Sequence, residues 1–175
     1  ALDLATGSGD IPLALWSAAK RHSLPLEVVG CDRSATAISE AHQQAAGMRA
    51  DVQFFQADVL TGPLPQGYDV LMCSLFLHHL DHAQAVQILQ RMRQAASRMV
   101  LVHDLVRCPS GLLFALIGSR TLSRSPIVHA DAPQSVRAAW TIDEVVLLAQ
   151  EARLEHVTIS RHWPSRFLLR QQLAP

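Results

Sequence analysis

The sequence predicts a doubly wound α/β fold, with a mostly parallel seven-stranded sheet and an antiparallel terminal edge pair. Three observations lead there. Short apolar runs alternate with helix-like stretches through residue 104, as in a parallel sheet covered on both faces. A glycine turn, "ATGSGD", closes the first of these runs. Residues 156–172, "HVTISRHWPSRFLLRQQ", alternate like two strands joined at a Trp-Pro turn.

The elements follow in order. Residues 1–4 form a short strand ending in the glycine turn. A helix covers 11–21, with Asp10 as its N-cap and Pro12 in its first turn, where the missing N–H is tolerated. Residues 26–31 give the second strand. Ser34 caps a helix that runs to Gly47, placed as its C-terminal stop. Residues 52–56 are the third strand and, beyond the turn-rich "TGPLPQG", 68–73 the fourth. Asp81 and Gln84 of "DHAQ" make a capping box for a helix reaching Ala96, and 98–102 are the fifth strand. Regularity breaks after Asp104. Residues 105–140 hold an apolar helix (111–120) and a loop around "SRSPIVHADAP", together a lid or substrate insert. Thr141 and Glu144 form a second capping box for a helix to Ala152.

The 175 residues fit one domain, 1–175. Fifteen basic and 15 acidic side chains give no electrostatic reason to expect nucleic acid or an anionic membrane. Cys31, Cys73 and Cys108 lack C-x-x-C spacing, which favours a reduced, cytoplasmic setting over a disulfide scaffold. No apolar run approaches the roughly 18 residues of a membrane span. The chain starts inside a strand and without Met, so it is read as lacking an N-terminal part, and no signal peptide is recognised.

In such a sheet a ligand lies beyond the carboxyl ends of the strands, which points to the glycine turn. A dinucleotide fingerprint starting at Gly7 needs glycine at position 12, and position 12 is Pro12. Asp10 also occupies the helix N-terminus, where a diphosphate would bind. NAD and FAD are therefore disfavoured. S-adenosylmethionine (SAM) removes the conflict, because it has no phosphate and carries a sulfonium and an ammonium that Asp3 and Asp10 can face.

On these residues the sequence resembles the class I SAM-dependent methyltransferases, the ubiquinone/menaquinone-type members in particular, over about residues 1–152 and with a Rossmann-like sheet. The resemblance implies a cofactor site made of the turn (Asp3, Ala5, Gly7, Gly9, Asp10) and four later stations. Asp32, with Arg33 beside it in "VVGCDRS", stands 23 residues after Gly9 and takes the ribose hydroxyls. Asp58 holds the adenine amine, with Val59 against the ring. Cys73 and Ser74 end the fourth strand under the sulfonium. "RMVLVHD" ends the fifth strand at the substrate mouth. Ala5 stands where many relatives have glycine. No Asn-Pro-Pro-Tyr/Phe motif follows the fourth strand, which argues against adenine, glutamine or protein-amide acceptors.

Histidines are the candidates for acid–base work. Of the adjacent His78 and His79, one is read as packing and the other as touching cofactor or lid, His79 being retained as a base. His103, at a strand end with Asp104 beside it, and His129, in the Pro-flanked loop, are the other candidates. No metal is expected, since Asp81 is claimed by its helix cap and nothing else near His78 has ligand spacing. His162 is read as a surface position, and Arg120, Arg124 and Arg137 as a solvated face. "GLLFALIG" is read as core or as the contact of a homodimer, with a substrate pocket as the alternative. The expected activity is methyl transfer to the oxygen or carbon of a small phenolic, quinone-like or polyketide-like acceptor. A SAM-binding protein without transfer activity and an NAD-dependent oxidoreductase are the alternatives.

Overall fold

A computed structural model describes residues 1–122 and 125–173. Seven strands form one sheet, β1 (Leu2–Leu4), β2 (Val29–Asp32), β3 (Gln53–Gln56), β4 (Tyr68–Ser74), β5 (Ala96–Leu105), β6 (Val157–His162) and β7 (Arg166–Gln172), in the order β3-β2-β1-β4-β5-β7-β6. Between them run α1 (Asp10–Arg21), α2 (Ala35–Met48), α3 (His82–Ala95), α4 (Pro109–Leu122), α5 (Pro126–Ala138) and α6 (Ile142–Glu151). β1 pairs in parallel with both β2 and β4, so Leu4 lies between Cys31 and Cys73. Strand order therefore reverses at β1, the feature that opens a crevice at strand ends in doubly wound sheets. β6 and β7 pair antiparallel at the edge, as the alternation of residues 156–172 predicts.

The chain divides into two units. The first comprises residues 1–74, 91–101 and 172–175. Its strands are buried because Leu2, Leu4, Leu71 and Val100 are wholly inaccessible, and Leu13, Ile38, Ala41 and Phe54 pack from α1, α2 and β3 into one cluster. The second comprises residues 75–90 and 102–171, with Leu77, Ile88, Leu148, Phe167 and Leu169 at its centre. Among the described residues no helix is long and apolar enough to cross a membrane.

Both capping boxes form. Asp81 and Gln84 exchange side-chain and backbone bonds at 2.9 and 3.1 Å, and Thr141 and Glu144 do the same at the start of α6. Ser34 caps α2 through a bond from the Ala37 N–H.

Other boundaries differ from expectation, each for a local reason. Asp10 is not the cap of α1 but its first residue; Gly9, at φ 85°, is the N-cap, because the turn needs a left-handed residue there. Gly47 lies inside α2, which ends instead on Arg49 in the left-handed region at φ 51°. β2 starts at Val29 rather than 26, following Pro25. β5 extends to Leu105. The polar pair His103-Asp104 suggests a strand end, yet Val100, Val102 and Asp104 are all buried on one face. The supposed loop around His129 is the helix α5. Pro126 sits in its first turn, where a fixed φ suits a helix start, and Pro133 is accommodated within it. In α4, Leu113, Phe114 and Ile117 are half exposed, so "GLLFALIG" is not core along its whole length.

Candidate active site

The first unit carries the predicted cofactor residues on the carboxyl ends of its strands. β1 gives way to a turn in which Ala5, Gly7 and Gly9 all have positive φ. Cross-links fix that turn. The Thr6 N–H donates to the Cys31 carbonyl at 2.9 Å, and the Gly7 N–H donates to Asp32 Oδ2 at 2.9 Å. Asp32 Oδ1 accepts the Ser34 N–H at 2.8 Å. Each Asp32 oxygen thus holds one backbone amide and keeps a lone pair for a ligand hydroxyl.

The two turn glycines differ. A Cβ on Gly9 would lie 2.7 Å from the Phe54 ring and 3.1 Å from Ala41, whereas one on Gly7 meets nothing within 4 Å. Gly9 serves helix–strand packing, and Gly7 leaves the space above the turn open.

Asp3 is 1% exposed. Its Oδ2 accepts the Thr6 hydroxyl at 2.7 Å, and its Oδ1 has no hydrogen-bond partner among the described residues. Burial pushes its carboxyl up to about 7, against the Thr6 bond and with some help from the Asp32 charge. An orphaned acceptor buried beneath an open glycine turn fits a ligand that brings a cationic donor. Asp10 is exposed, its carboxylate 3.2 Å from the Ser8 hydroxyl.

Asp58 is exposed just past β3, and its Oδ1 accepts the Leu60 N–H at 2.9 Å. That amide, with Thr61, holds its carboxyl below the usual range. Val59 is buried beside it. The exposed Arg33 offers its carbonyl to Gln56 Nε2 at 2.9 Å. Cys73 is buried and Ser74 half-buried at the end of β4.

The loop after β3 has an anchor that sequence reasoning missed. The half-buried Arg91 guanidinium donates to the carbonyls of Val59, Leu60 and Gly62. Nothing within the local pattern distinguishes Arg91 from an exposed helical arginine.

The second unit holds a cavity of about 420 Å³ lined by His78, His79, Leu105, Phe114, Ser135 and Arg166, among others. His78 Nδ1 lies 2.6 Å from Asp104 Oδ1, with both side chains almost wholly buried. Asp104 also accepts the His78 N–H at 3.2 Å and the Leu105 N–H at 2.6 Å. A carboxylate that already accepts two backbone N–H groups suits an Nδ1–H donor, which directs Nε2 away from Asp104. The His79 ring lies 4.0 Å from the His78 ring, centroid to centroid, and burial followed by the His78 neighbour lowers its pKa. Trp140 Nε1 donates to the Leu77 carbonyl at 3.0 Å and fixes the short turn that presents both histidines.

The remaining histidines are placed differently from expectation. His103 lies within β5, where its side chain and that of Asp104 leave the strand on opposite faces, and Asp104 is bonded to His78. Burial and then the Arg166 charge lower the His103 pKa. His129 is on α5, whose Asp131, Ala132 and Ser135 line the cavity; His129 itself is not among the lining residues. Arg120 is exposed and bonds the Leu116 carbonyl of its own helix, while Arg124 lies outside the described residues.

Residues 1–98 match the model of the family described as "Methyltransferase domain". The chain belongs to this family, within the class I SAM-dependent methyltransferases. It is 33% identical to the demethylmenaquinone methyltransferase of Thermus thermophilus over 104 residues, 58% of this chain and 46% of that protein. It is 24% identical to the ubiquinone biosynthesis O-methyltransferase of Pseudomonas savastanoi pv. phaseolicola over 133 residues, 73% of this chain and 57% of that one. The chain thus spans about half the length of the curated relatives it matches. The fold is shared with the magnesium protoporphyrin IX methyltransferase of Synechocystis PCC 6803 with bound SAH, at a TM-score of 0.67 and 18% identity, over 99% of this chain and 73% of that one.

Proposed function

We propose that this protein methylates the hydroxyl of a small aromatic acceptor, with SAM as donor, in a cytoplasmic setting. The observation that carries the reading is the Asp104–His78 pair on the wall of the second unit's cavity. When bound, SAM supplies a methyl group made electrophilic by its sulfonium. The chain's own residues do the rest. Asp32 accepts the ribose hydroxyls with the lone pairs its two amide bonds leave unused. Asp58 accepts the adenine amine, on a loop held by Arg91. Asp3, with one buried oxygen lacking a donor, takes up positive charge near the turn. His78 Nε2 accepts the acceptor's hydroxyl proton, and Asp104 holds the ring in that tautomer and stabilises the imidazolium that forms. Leu105, Phe114 and Val136 give the cavity wall apolar surface, which favours a step in which opposite charges are lost. Residues 105–140 act in this reading as the lid over the acceptor.

The quinone-pathway names among the relatives support a small-molecule acceptor but leave its structure open. The test is transfer of label from methyl-labelled SAM to a panel of phenols and naphthols. Label appearing in an aromatic ether, and lost in His78→Gln without loss of SAM binding, supports the reading. SAM binding with no transfer to any acceptor would identify a binding protein instead.

A further inference from the structure

A second cavity, of about 490 Å³, shares Phe114, Ser165 and Arg166 with the histidine-lined one. Its chemistry differs. Arg107, Arg161, Arg166 and His162 line it against a single carboxylate, that of Asp143. Arg107 is already neutralised by Glu144. Neither Arg161 nor Arg166 forms a salt bridge among the described residues. Arg166 is only partly exposed, and a half-buried cation without a counter-charge leaves strong donors available to an anion.

Two further features characterise the cavity. Phe114 and Trp163 are 50% and 85% exposed, and their rings meet edge to face at 6.4 Å. Such a pair on a cavity wall offers planar apolar area at little entropic cost. The Cys108 thiol reports the local field. Burial raises its pKa, but the hydroxyls of Ser110 and Ser165, the Gly111 N–H and the Arg161 charge together bring it below the ordinary thiol value. Cys108 therefore sits among hydrogen-bond donors on this wall, with the Arg161 charge a smaller addition.

From this arrangement we infer that the acceptor is a planar aromatic carboxylate, its carboxylate held by Arg166 and its ring resting against Phe114 and Trp163. Because Arg166 lines both cavities, one molecule can present its carboxylate there and its hydroxyl to His78. The inference rests on the reading of the His78 cavity as the acceptor site.

The test compares 3-hydroxy-2-naphthoate with 3-hydroxy-2-naphthamide, which match in shape and differ in charge. Calorimetry on the full chain is expected to show the acid binding at least tenfold tighter than the amide. Arg166→Gln is expected to abolish that preference by weakening the acid far more than the amide, with affinity for SAM unchanged, and Arg166→Lys, which keeps the charge, to restore part of it. Equal binding of acid and amide, binding of neither, or a preference that survives Arg166→Gln overturns the inference. Transfer from labelled SAM separates the two readings. An acid held through Arg166 but never methylated refutes the activity and leaves the anion site standing. Methylation without charge preference refutes the anion site alone.

Discussion

Asp104 reaches across 26 residues of sequence to bind His78 twice, through the ring Nδ1 at 2.6 Å and through the backbone N–H at 3.2 Å. One carboxylate therefore fixes both the orientation of the imidazole and the position of its backbone. Asp104→Asn keeps the shape but can present an N–H to the ring, which favours the wrong tautomer. We expect turnover to fall by about 100-fold, within the range for losing general acid–base assistance. SAM affinity should stay within twofold of wild type. A variant with unchanged turnover would reduce the pair to a structural contact.

The two turn glycines should separate in a pair of measurements. Gly9→Ala drives a methyl into the Phe54 ring at 2.7 Å and should lower the melting temperature steeply. Gly7→Ala meets no atom and carries only the strain of φ +57°, about 1 kcal/mol for an alanine. It should fold, with a small loss of stability, and yet bind SAM at least tenfold more weakly, because its methyl enters the open space. Equal SAM affinity in a folded Gly7→Ala protein would remove the turn from the cofactor site.

The parts of the molecule written in local pattern are legible in the sequence. Asp81 with Gln84 and Thr141 with Glu144 specify helix starts within four residues, and both boxes form. The glycine turn and Asp32 are tied by a bond from the Gly7 N–H, so their spacing carries real geometry. What stayed hidden depends on distant partners or on ambiguous residues. Asp104 looks like the polar end of a strand until the His78 ring and backbone N–H satisfy it in the interior. Pro126 and Pro133 read as loop markers, yet Pro126 sits in the first turn of α5, where a proline costs no bond, and Pro133 is carried inside the helix. His162 reads as a surface position in the sequence, and the β6–β7 turn brings it together with Arg166 to one cavity that Phe114 also lines.

Arg91 offers a test of how the loop after β3 is held. Its guanidinium satisfies three carbonyls, at Val59, Leu60 and Gly62. Arg91→Met keeps the aliphatic stem and removes every donor. Leaving half-buried carbonyls unpaired should cost about 1–3 kcal/mol of stability, read from denaturant unfolding. If the loop positions Asp58 against adenine, SAM affinity should fall as well while turnover at saturating SAM is preserved. A stability loss with unaltered SAM affinity would confine Arg91 to a structural role.

Asp3 makes the cofactor site sensitive to pH in a calculable direction. Burial raises its folded pKa from an ordinary value of 3.8 to about 7. Between those values the folded state holds a proton that the unfolded chain has lost, so this group's contribution to stability is greatest at low pH and declines as pH rises through 7. A cationic ligand reverses the preference, because it favours the ionised carboxylate whose Oδ1 lacks a donor. Binding SAM below pH 7 must then expel the Asp3 proton, and affinity should strengthen as pH rises from 5.5 to 7, by at most tenfold per unit. Asp3→Asn removes the titration. The variant should bind SAM more weakly throughout, with a shallower pH slope, and should no longer lose this part of its stability between pH 5.5 and 8. Calorimetric titrations of SAM across that lower range, on both proteins, supply the measurement. Parallel slopes would show that Asp3 does not meet the ligand's charge.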